Sequence, residues 1–169
     1  MAEPRELDGS DLPEGDEKAV AVRRMFDDIA PRYDLVNRVM TFRLDVRWRR
    51  RAVRDLELPA GSTVLDLACG TGDLCDDLRA GGHLPLGMDF SFGMLAAART
   101  EEPLTQADAL SLPVPDGSVD GVICGFALRN FVDLDGFVRE CARVIRPGGR
   151  IALLDASEPE TRLMRFGHG

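Results

Sequence analysis

The chain has 169 residues, 44% of them hydrophobic, and a net charge of −8. This length favours a single domain with a core of its own, and the acidic balance argues against non-specific binding to nucleic acid. The sequence shows no DNA- or RNA-binding motif, no signal peptide and no run of about 18 apolar residues. We therefore expect a cytoplasmic protein that neither binds nucleic acid nor spans a membrane.

Cysteines and histidines are too scattered to suggest a metal centre. The four cysteines form no C-x-x-C pair, and neither of the two histidines lies at ligand spacing from them. We expect no metal site and interpret the cysteines as reduced, mostly buried thiols. They are Cys69, Cys75, Cys124 and Cys141.

The first 58 residues divide into a tail and a helical cap. Residues 1–17 are polar and mostly acidic, and such a composition predicts a disordered tail. Residues 18–30 are predicted to be helical because apolar side chains recur at i, i+3, i+4 and i+7; they are Val22, Met25, Phe26 and Ile29. Residues 33–40 and 45–56 can form two further helices, so the predicted cap spans residues 18–58.

The third cap helix is basic, with the five arginines Arg47, Arg49, Arg50, Arg51 and Arg54. In one interpretation this helix contacts an anionic membrane surface, where a lipid-tailed molecule would be found. In the other, the arginines form a solvated face around a buried Trp48. We favour the second because the protein as a whole is acidic.

The most informative stretch is residues 64–73, where a glycine turn follows a short apolar run. Residues 64–67 are typical of a parallel strand that is buried on both faces. Gly70 and Gly72 then supply a tight turn before a helix that begins near Asp73. Strand, turn and helix in this order form the mononucleotide-binding half of a doubly wound fold, with the ligand at the carboxyl end of the strand.

Strands and helices alternate through the rest of the predicted ligand-binding domain, residues 59–160. Strands are predicted at 84–88, 103–106, 119–124 and 150–154. Three helices are predicted: one at 74–80, one that begins after the capping residue Ser91, and one at 133–145. A turn at residues 147–149 precedes the last strand. This alternation predicts an α/β fold with a doubly wound, mainly parallel Rossmann-like sheet.

Two kinds of ligand compete for the glycine turn. A dinucleotide site favours Gly-x-Gly-x-x-Gly, but Cys75 stands at the third glycine position. Asp66 and Asp73 flank the turn, and no Lys or Arg lies between Asp55 and Asp77 to offset them, so a pyrophosphate would meet like charge. S-adenosylmethionine carries an ammonium and a sulfonium but no phosphate. The charges therefore favour a methyltransferase over an NAD-dependent oxidoreductase.

Four segments resemble a known family. Asp66-x-Ala68-x-Gly70-x-Gly72 resembles motif I of the class I S-adenosylmethionine-dependent methyltransferases. Three others are similar to segments of the ubiquinone/menaquinone biosynthesis C-methyltransferases: MFDDIAPRYDLVN at 25–37, GFALRN at 125–130 and RVIRPGG at 143–149. The resemblance covers roughly residues 20–160.

This resemblance implies a complete set of S-adenosylmethionine-binding residues. They are Asp66, Gly70, Thr71, Gly72, Asp89, Met94, Asp108, Ala109 and Gly125. The glycine turn would meet the methionyl part, Asp89 would accept both ribose hydroxyls, and Asp108 would accept from the adenine amino group. Met94 either flanks the adenine or belongs to the core, and Gly125 offers only its backbone.

The resemblance also implies a quinol as methyl acceptor. A ring carbon becomes nucleophilic when the neighbouring phenolic hydroxyl loses or shares its proton. The Arg129 guanidinium would stabilise phenolate charge and Asn130 would orient a hydroxyl, with Tyr33 and Asp34 of the cap as further catalytic candidates. Alternatively, Arg129 pairs structurally with an acid of the cap; the candidates are Asp27, Asp28 and Asp34.

Class I methyltransferases usually continue with two more strands after the fifth. Residues 161–169 are too short and too glycine-rich to supply them, so we interpret these residues as a tail and expect the last strands of the fold to be missing. The fifth strand would then be a sheet edge covered by the tail or by another subunit, which leaves a homodimer open.

The favoured function is S-adenosylmethionine-dependent C-methylation of a quinol such as demethylmenaquinol, in menaquinone or ubiquinone biosynthesis. Two alternatives remain: methylation of another phenolic or small-molecule acceptor, and a non-catalytic S-adenosylmethionine-binding module. No metal is required because the sulfonium already supplies the leaving group.

Overall fold

A computed structural model describes residues 15–30 and 44–155 of the chain. Its five strands form one sheet: β1 (Thr63–Leu67), β2 (Leu84–Asp89), β3 (Leu104–Gln106), β4 (Val119–Gly125) and β5 (Ile145–Leu154). The helices are α1 (Gly15–Ile29), α2 (Leu44–Asp55), α3 (Asp73–Ala80), α4 (Phe92–Ala96) and α5 (Leu134–Val144), with a 3₁₀ turn at Leu128–Asn130. Among the described residues, no helix is long and apolar enough to cross a membrane.

All neighbouring strands in the sheet are parallel, in the order β3-β2-β1-β4-β5. The chain moves outward from β1 to β3, then crosses back to place β4 on the other side of β1. This reversal opens a crevice at the carboxyl ends of β1 and β4, which is where doubly wound folds bind their ligands. The predicted fold class is confirmed.

The sheet is buried between two apolar layers, as the two-sided burial of β1 requires. Leu65 and Leu67 face one layer, where they pack with Phe137 of α5. Val64 faces the opposite layer, where α2 and α3 supply Val53, Leu56, Leu74 and Leu78. Because consecutive residues of a strand point to opposite faces, a continuous apolar run is the sequence pattern that such a strand needs.

The predicted element bounds are close to those observed, with two differences that have a local cause. Helix α1 begins at Gly15, inside the segment predicted to be a tail. The predicted turn at residues 147–149 lies within β5 instead, as an irregularity in its pairing: Val119 pairs with Ile145, but Gly121 pairs with Arg150. The predicted helix at 33–40, the remainder of the first tail and the tail at 161–169 lie outside the described residues.

Two expected local features are present. The Ser91 hydroxyl caps α4 by accepting a hydrogen bond from the Met94 N–H at 3.1 Å. Strand β5 pairs only with β4 in the described part of the sheet, and its Ile151 and Leu153 side chains are each 44% exposed. Within the described residues, β5 is therefore the sheet edge that the sequence predicts.

The prediction that Trp48 is buried in α2 is wrong. Trp48 is 43% exposed, whereas the neighbouring Arg49 is only 9% exposed. The side of α2 that faces the protein carries Asp45, Arg49, Val53 and Leu56, at the i, i+4, i+8 and i+11 positions. Trp48 lies one residue, or about 100°, away from this stripe, and Arg49 is directed inward by carboxylates on another helix.

The loop after β1 depends on backbone conformations that favour glycine. Gly70 has a φ of 57° and Gly72 a φ of 89°. A Cβ on Gly72 would also collide with the side chain of Thr100. Thr100 cannot easily move away, because its hydroxyl contacts the Asp76 carboxylate at 2.5 Å and accepts the Glu102 N–H at 3.1 Å.

We predict that Gly72→Ala destabilises the protein more than Gly61→Ala. Gly61 has a similar φ of 84° but open space around the added Cβ, so its substitution incurs only the backbone cost of about 1–2 kcal/mol. Gly72→Ala adds a steric cost of about 1–3 kcal/mol. Urea denaturation of the two variants measures the difference in free energy of unfolding; equal values would show that the loop moves away from Thr100 without cost.

Candidate functional site

A pocket occupies the crevice at the carboxyl ends of the strands. Its lining includes residues that directly follow β1, β2, β3 and β4, together with residues of α1 and α2. Of the predicted cofactor-binding residues, eight line this pocket: Asp66, Gly70, Thr71, Asp89, Met94, Asp108, Ala109 and Gly125. Gly72 is not part of the lining; it lies against the Thr100 side chain instead and shapes the loop there.

Asp66 is the most unusual side chain in this pocket. It is fully buried in β1, and its Oδ2 accepts a hydrogen bond from the Cys75 thiol at 3.3 Å. Its Oδ1 has no hydrogen-bond partner among the described residues. The pKa of Asp66 is raised to about 7. Burial is the main cause and the Asp89 charge adds to it, whereas the hydrogen bond from Cys75 acts in the opposite direction. A buried carboxylate oxygen without a partner is suited to a cationic group of a ligand.

Asp89 ends β2 and is fixed by the backbone. Its Oδ2 accepts the Gly70 N–H and its Oδ1 accepts the Ser91 N–H, each at 2.8 Å. Burial raises its pKa, although both of these hydrogen bonds lower it. Since each carboxylate oxygen has capacity for a second hydrogen bond, Asp89 can still accept from a pair of ligand hydroxyls while it holds the loop after β1.

The residues after β3 and on α4 form the next part of the lining. Asp108 is exposed, and its Oδ1 accepts the Leu110 N–H at 2.9 Å. Ala109 is 9% exposed and Met94 only 3%. Met94 therefore belongs to the core and also lines the pocket. Its contact with the adenine stays a prediction.

Gly125 ends β4, and the structure does not require a glycine there for lack of space. A Cβ at this position would lie 3.5 Å from Leu74, which is an ordinary contact. Gly125 lines the pocket with backbone atoms alone, and its contact with the cofactor stays a prediction.

Arg49 is a functional candidate that sequence reasoning missed. Its guanidinium lines the pocket and contacts three carboxylates: Asp45 at 2.7 Å from Nη1, Asp73 at 3.0 Å from Nη2, and Asp77 at 3.0 Å from Nε. The expectation that these acids of the turn and its helix lack a cation is therefore wrong. The compensating charge comes from α2, 28 residues before Asp77 in the chain, and only the spacing of Asp45 and Arg49 at i and i+4 gave a local signal for it.

The predicted catalytic residues do not all lie together. Asn130 lines the pocket. Arg129 lies outside the lining, and its side chain is 61% exposed and pairs with Asp155 at 2.8 Å. Among the described residues, Arg129 thus pairs with Asp155 and not with Asp27 or Asp28. Asp27 instead accepts from the Ser91 hydroxyl at 2.5 Å and the Gly93 N–H at 2.8 Å, which fixes α1 to α4. Tyr33 and Asp34 lie outside the described residues.

Comparison with known proteins identifies the family. A sequence profile of the ubiE/COQ5 methyltransferase family matches residues 14–168. The chain belongs to this family. The predicted resemblance to the ubiquinone/menaquinone biosynthesis C-methyltransferases is thereby confirmed.

Curated relatives extend beyond the length of this chain. The chain is 49% identical over 145 residues to a demethylmenaquinone methyltransferase of Thermus thermophilus, covering 80% of this chain and 66% of the relative. It is 39% identical over 163 residues to a ubiquinone/menaquinone biosynthesis C-methyltransferase of Geobacter sulfurreducens, covering 88% of this chain and 63% of the relative. It thus spans slightly less than two thirds of the length of the relatives it matches.

Solved structures agree with the fold. The YcgJ protein of Bacillus subtilis has a TM-score of 0.61 at 28% identity, over 70% of this chain and 54% of that chain. A SAM-dependent methyltransferase from Aquifex aeolicus has a TM-score of 0.58 at 21% identity, over 67% of each chain. The fold of the five-stranded parallel sheet is therefore shared with these two proteins.

We predict that Arg49→Met destabilises the protein by about 3 kcal/mol, because it leaves three carboxylates around a cation that is no longer present. Methionine retains most of the apolar stem, so the change isolates the charge. The matched control is Arg51→Met on the same helix. Arg51 is 70% exposed and, among the described residues, pairs with the exposed Asp55, so its loss is expected to cost less than about 0.5 kcal/mol. Equal losses in urea denaturation would contradict a central role for Arg49.

We predict a pH-dependent contribution of Asp66 to stability. With a folded-state pKa raised to about 7 from 3.8, Asp66 keeps a proton on folding at pH values where the unfolded chain has lost it. The free energy of unfolding therefore falls as the pH rises from about 4 to 7. Asp66→Asn removes this contribution, so the difference between wild type and variant should change across this interval. A difference that is constant from pH 4 to 8 would contradict the raised pKa.

Proposed function

We propose that this chain forms the S-adenosylmethionine-binding and catalytic part of a methyltransferase that methylates a ring carbon of a quinol such as demethylmenaquinol. The observation that carries the proposal is the acidic crevice, in which the unpartnered Oδ1 of Asp66 and the fixed carboxylate of Asp89 lie on the neighbouring strands β1 and β2. Family membership and the names of the relatives support the same activity.

The residues of the pocket suit each part of the cofactor. Asp66 offers a buried negative oxygen to the positively charged methionyl end, and the loop at Gly70 and Thr71 provides close backbone approach. Asp89 accepts from the two ribose hydroxyls, and Asp108 accepts from the adenine amino group beside the Ala109 backbone. Bound S-adenosylmethionine supplies a methyl group on a sulfonium, which is already activated for in-line transfer.

The acceptor side has to orient a ring and promote loss of a phenolic proton. Asn130 lines the pocket and can orient a ring hydroxyl. Arg129 can stabilise the phenolate if it exchanges Asp155 for the substrate, which its 61% exposure permits. Tyr33 and Asp34 of the 18–58 cap remain candidates for proton removal. With the phenolic proton removed, the neighbouring ring carbon would take the methyl group that bound S-adenosylmethionine supplies, with S-adenosylhomocysteine as the leaving group. The same carbon would then give up its own proton, which restores the aromatic ring.

A quinol with a lipid tail also needs a route from the membrane. Arg47, Trp48 and Arg51 lie exposed on one side of α2, and this combination of cations and an aromatic ring suits an anionic lipid surface. Peripheral contact of α2 with the cytoplasmic face of a membrane is therefore part of the proposal. Pairing of two copies over the exposed edge of β5 is compatible with it.

Other acceptors and functions give different outcomes in the same assays. Methylation of a phenol other than a quinol would leave cofactor binding unchanged and alter only the acceptor. A cofactor-binding module would bind S-adenosylmethionine without turnover of any acceptor. An NAD-dependent oxidoreductase is disfavoured because Asp66 and Asp89, which Arg49 does not contact, line the pocket and would repel a pyrophosphate.

Calorimetric titration with S-adenosylmethionine tests the cofactor assignment. We expect micromolar binding, about 8 kcal/mol, and at least tenfold weaker binding by Asp89→Asn, which retains the shape of the side chain but removes its charge. Asp116→Asn, an exposed acid outside the pocket lining, is the matched control and should bind like wild type. Tighter binding of NADH than of S-adenosylmethionine, or no effect of Asp89→Asn, would contradict the proposal.

A further inference from the structure

Phe126 has a backbone conformation that is unusual for its residue type. It directly follows β4, and its φ is 60°. Aromatic residues rarely occupy this left-handed region because the Cβ approaches the backbone too closely. The conformation is stabilised from the neighbouring strand, where the Leu154 carbonyl accepts the Phe126 N–H at 2.6 Å. Strained residues of this kind concentrate at functional sites.

The strained backbone places the Phe126 ring beside Trp48 at the pocket. Phe126 lines the pocket, whereas Trp48 lies outside the lining and reaches it only through Phe126. The centroids of the two rings lie 6.3 Å apart with their planes tilted by 52°. Trp48 nevertheless remains 43% exposed, and neither ring belongs to the buried core. A contact that served only to pack α2 on the sheet would bury both rings more completely.

The other aromatic residues nearby are already engaged. The Phe131 ring stacks on Phe137 with centroids 4.4 Å apart. The Phe90 ring has the Arg23 guanidinium 5.3 Å from its centroid and follows β2, on the side of Asp89. Phe126 lies on the opposite side of the pocket, because β4 and β2 flank β1 from different sides.

We propose that the Phe126 ring at the pocket and the Trp48 ring against it form an aromatic wall, in which Phe126 binds the ring of the methyl acceptor. The proposal rests on the proposed function and adds to it the residues that select a flat aromatic substrate. Apart from Gly125 at the end of β4, the cofactor residues lie on or after β1, β2 and β3, whereas Phe126 and Asn130 both follow β4. A ring held against the wall therefore lies across the crevice from the ribose and adenine residues, next to the side chain that can orient its hydroxyl. Aromatic rings favour offset or tilted contacts of this type.

The sequence provides a direct probe, because Trp48 is the only tryptophan of the chain. The probe ligand is 1,4-dihydroxynaphthalene, kept reduced under argon and titrated while the fluorescence of Trp48 is recorded. We expect saturable quenching, in contrast to the linear, collisional quenching of N-acetyltryptophanamide in a parallel titration. Quenching of wild type that is only linear would overturn the proposal.

Variants of Phe126 separate the role of its ring from the role of its backbone. Phe126→Gly and Phe126→Ala both remove the ring, and we expect at least tenfold weaker naphthoquinol binding in each. Only glycine also relieves the positive φ, so Phe126→Gly should melt at a higher temperature than Phe126→Ala. The control is Phe92→Ala on α4, since Phe92 is 62% exposed and outside the pocket lining; its naphthoquinol affinity should stay within twofold of wild type.

Phe126→Leu covers the case in which the smaller variants do not fold, because leucine retains apolar volume but no aromatic ring. Naphthoquinol affinity within twofold of wild type in a folded Phe126 variant would overturn the proposal. Parallel titration with S-adenosylmethionine keeps the two proposals distinguishable. We expect all Phe126 variants to bind the cofactor within twofold of wild type, and equal loss of both ligands would mean that Phe126 only supports the fold. If wild type binds the naphthoquinol but not S-adenosylmethionine, the proposed function is refuted, whereas the binding of an aromatic ring at Phe126 is still supported.

Discussion

The charge balance around Arg49 is the constraint on which this pocket depends. One guanidinium contacts carboxylates from its own helix and from α3, and it is only 9% exposed. Charges removed from water in this way are tolerated only when they are paired with good geometry. The same contacts attach α2 to the helix that begins directly after the glycine loop. The position of the cap helix and the position of the loop are therefore not independent of each other.

Because Arg49 compensates the acids at the start and middle of α3, the uncompensated negative charge lies deeper in the pocket. Asp66 has an oxygen without a described partner, and Asp89 is bound by N–H groups rather than by a cation. The raised pKa values of both carboxyls have the same cause, burial. A cationic ligand would reduce this electrostatic cost, whereas a phosphate would increase it. The preference for a sulfonium cofactor over a dinucleotide therefore depends on Asp66 and Asp89, because Arg49 compensates the acids that it contacts.

Features that depend on local sequence could be predicted, and features that depend on distant partners could not. The apolar run of β1, the glycine turn and the Ser91 cap each have a signal within a few residues, and the structure contains all three. Trp48 and Arg49 are adjacent on the helix, so a rotation by one residue would exchange which of them points inward. Asp73 and Asp77 on another helix determine that it is Arg49. The partner of Arg129 is likewise Asp155, 26 residues away and beyond the end of β5. Sequence periodicity contains no information about such pairs.

Two neighbouring residues of α2, Trp48 and Arg49, relate the acidic part of the pocket to the aromatic wall. Arg49 points inward and fixes the helix to α3, and Trp48 then necessarily projects about 100° away, towards Phe126 at the end of β4. A helix held to α3 by two ion pairs, Arg49 with Asp73 and Arg49 with Asp77, cannot rotate freely, so the position of the Trp48 ring follows from the contacts of Arg49. Phe126 is fixed independently, by its hydrogen bond to Leu154 on β5. The two rings therefore meet because two separate parts of the fold place them, and a substitution at Arg49 is expected to disturb the aromatic contact without touching either ring.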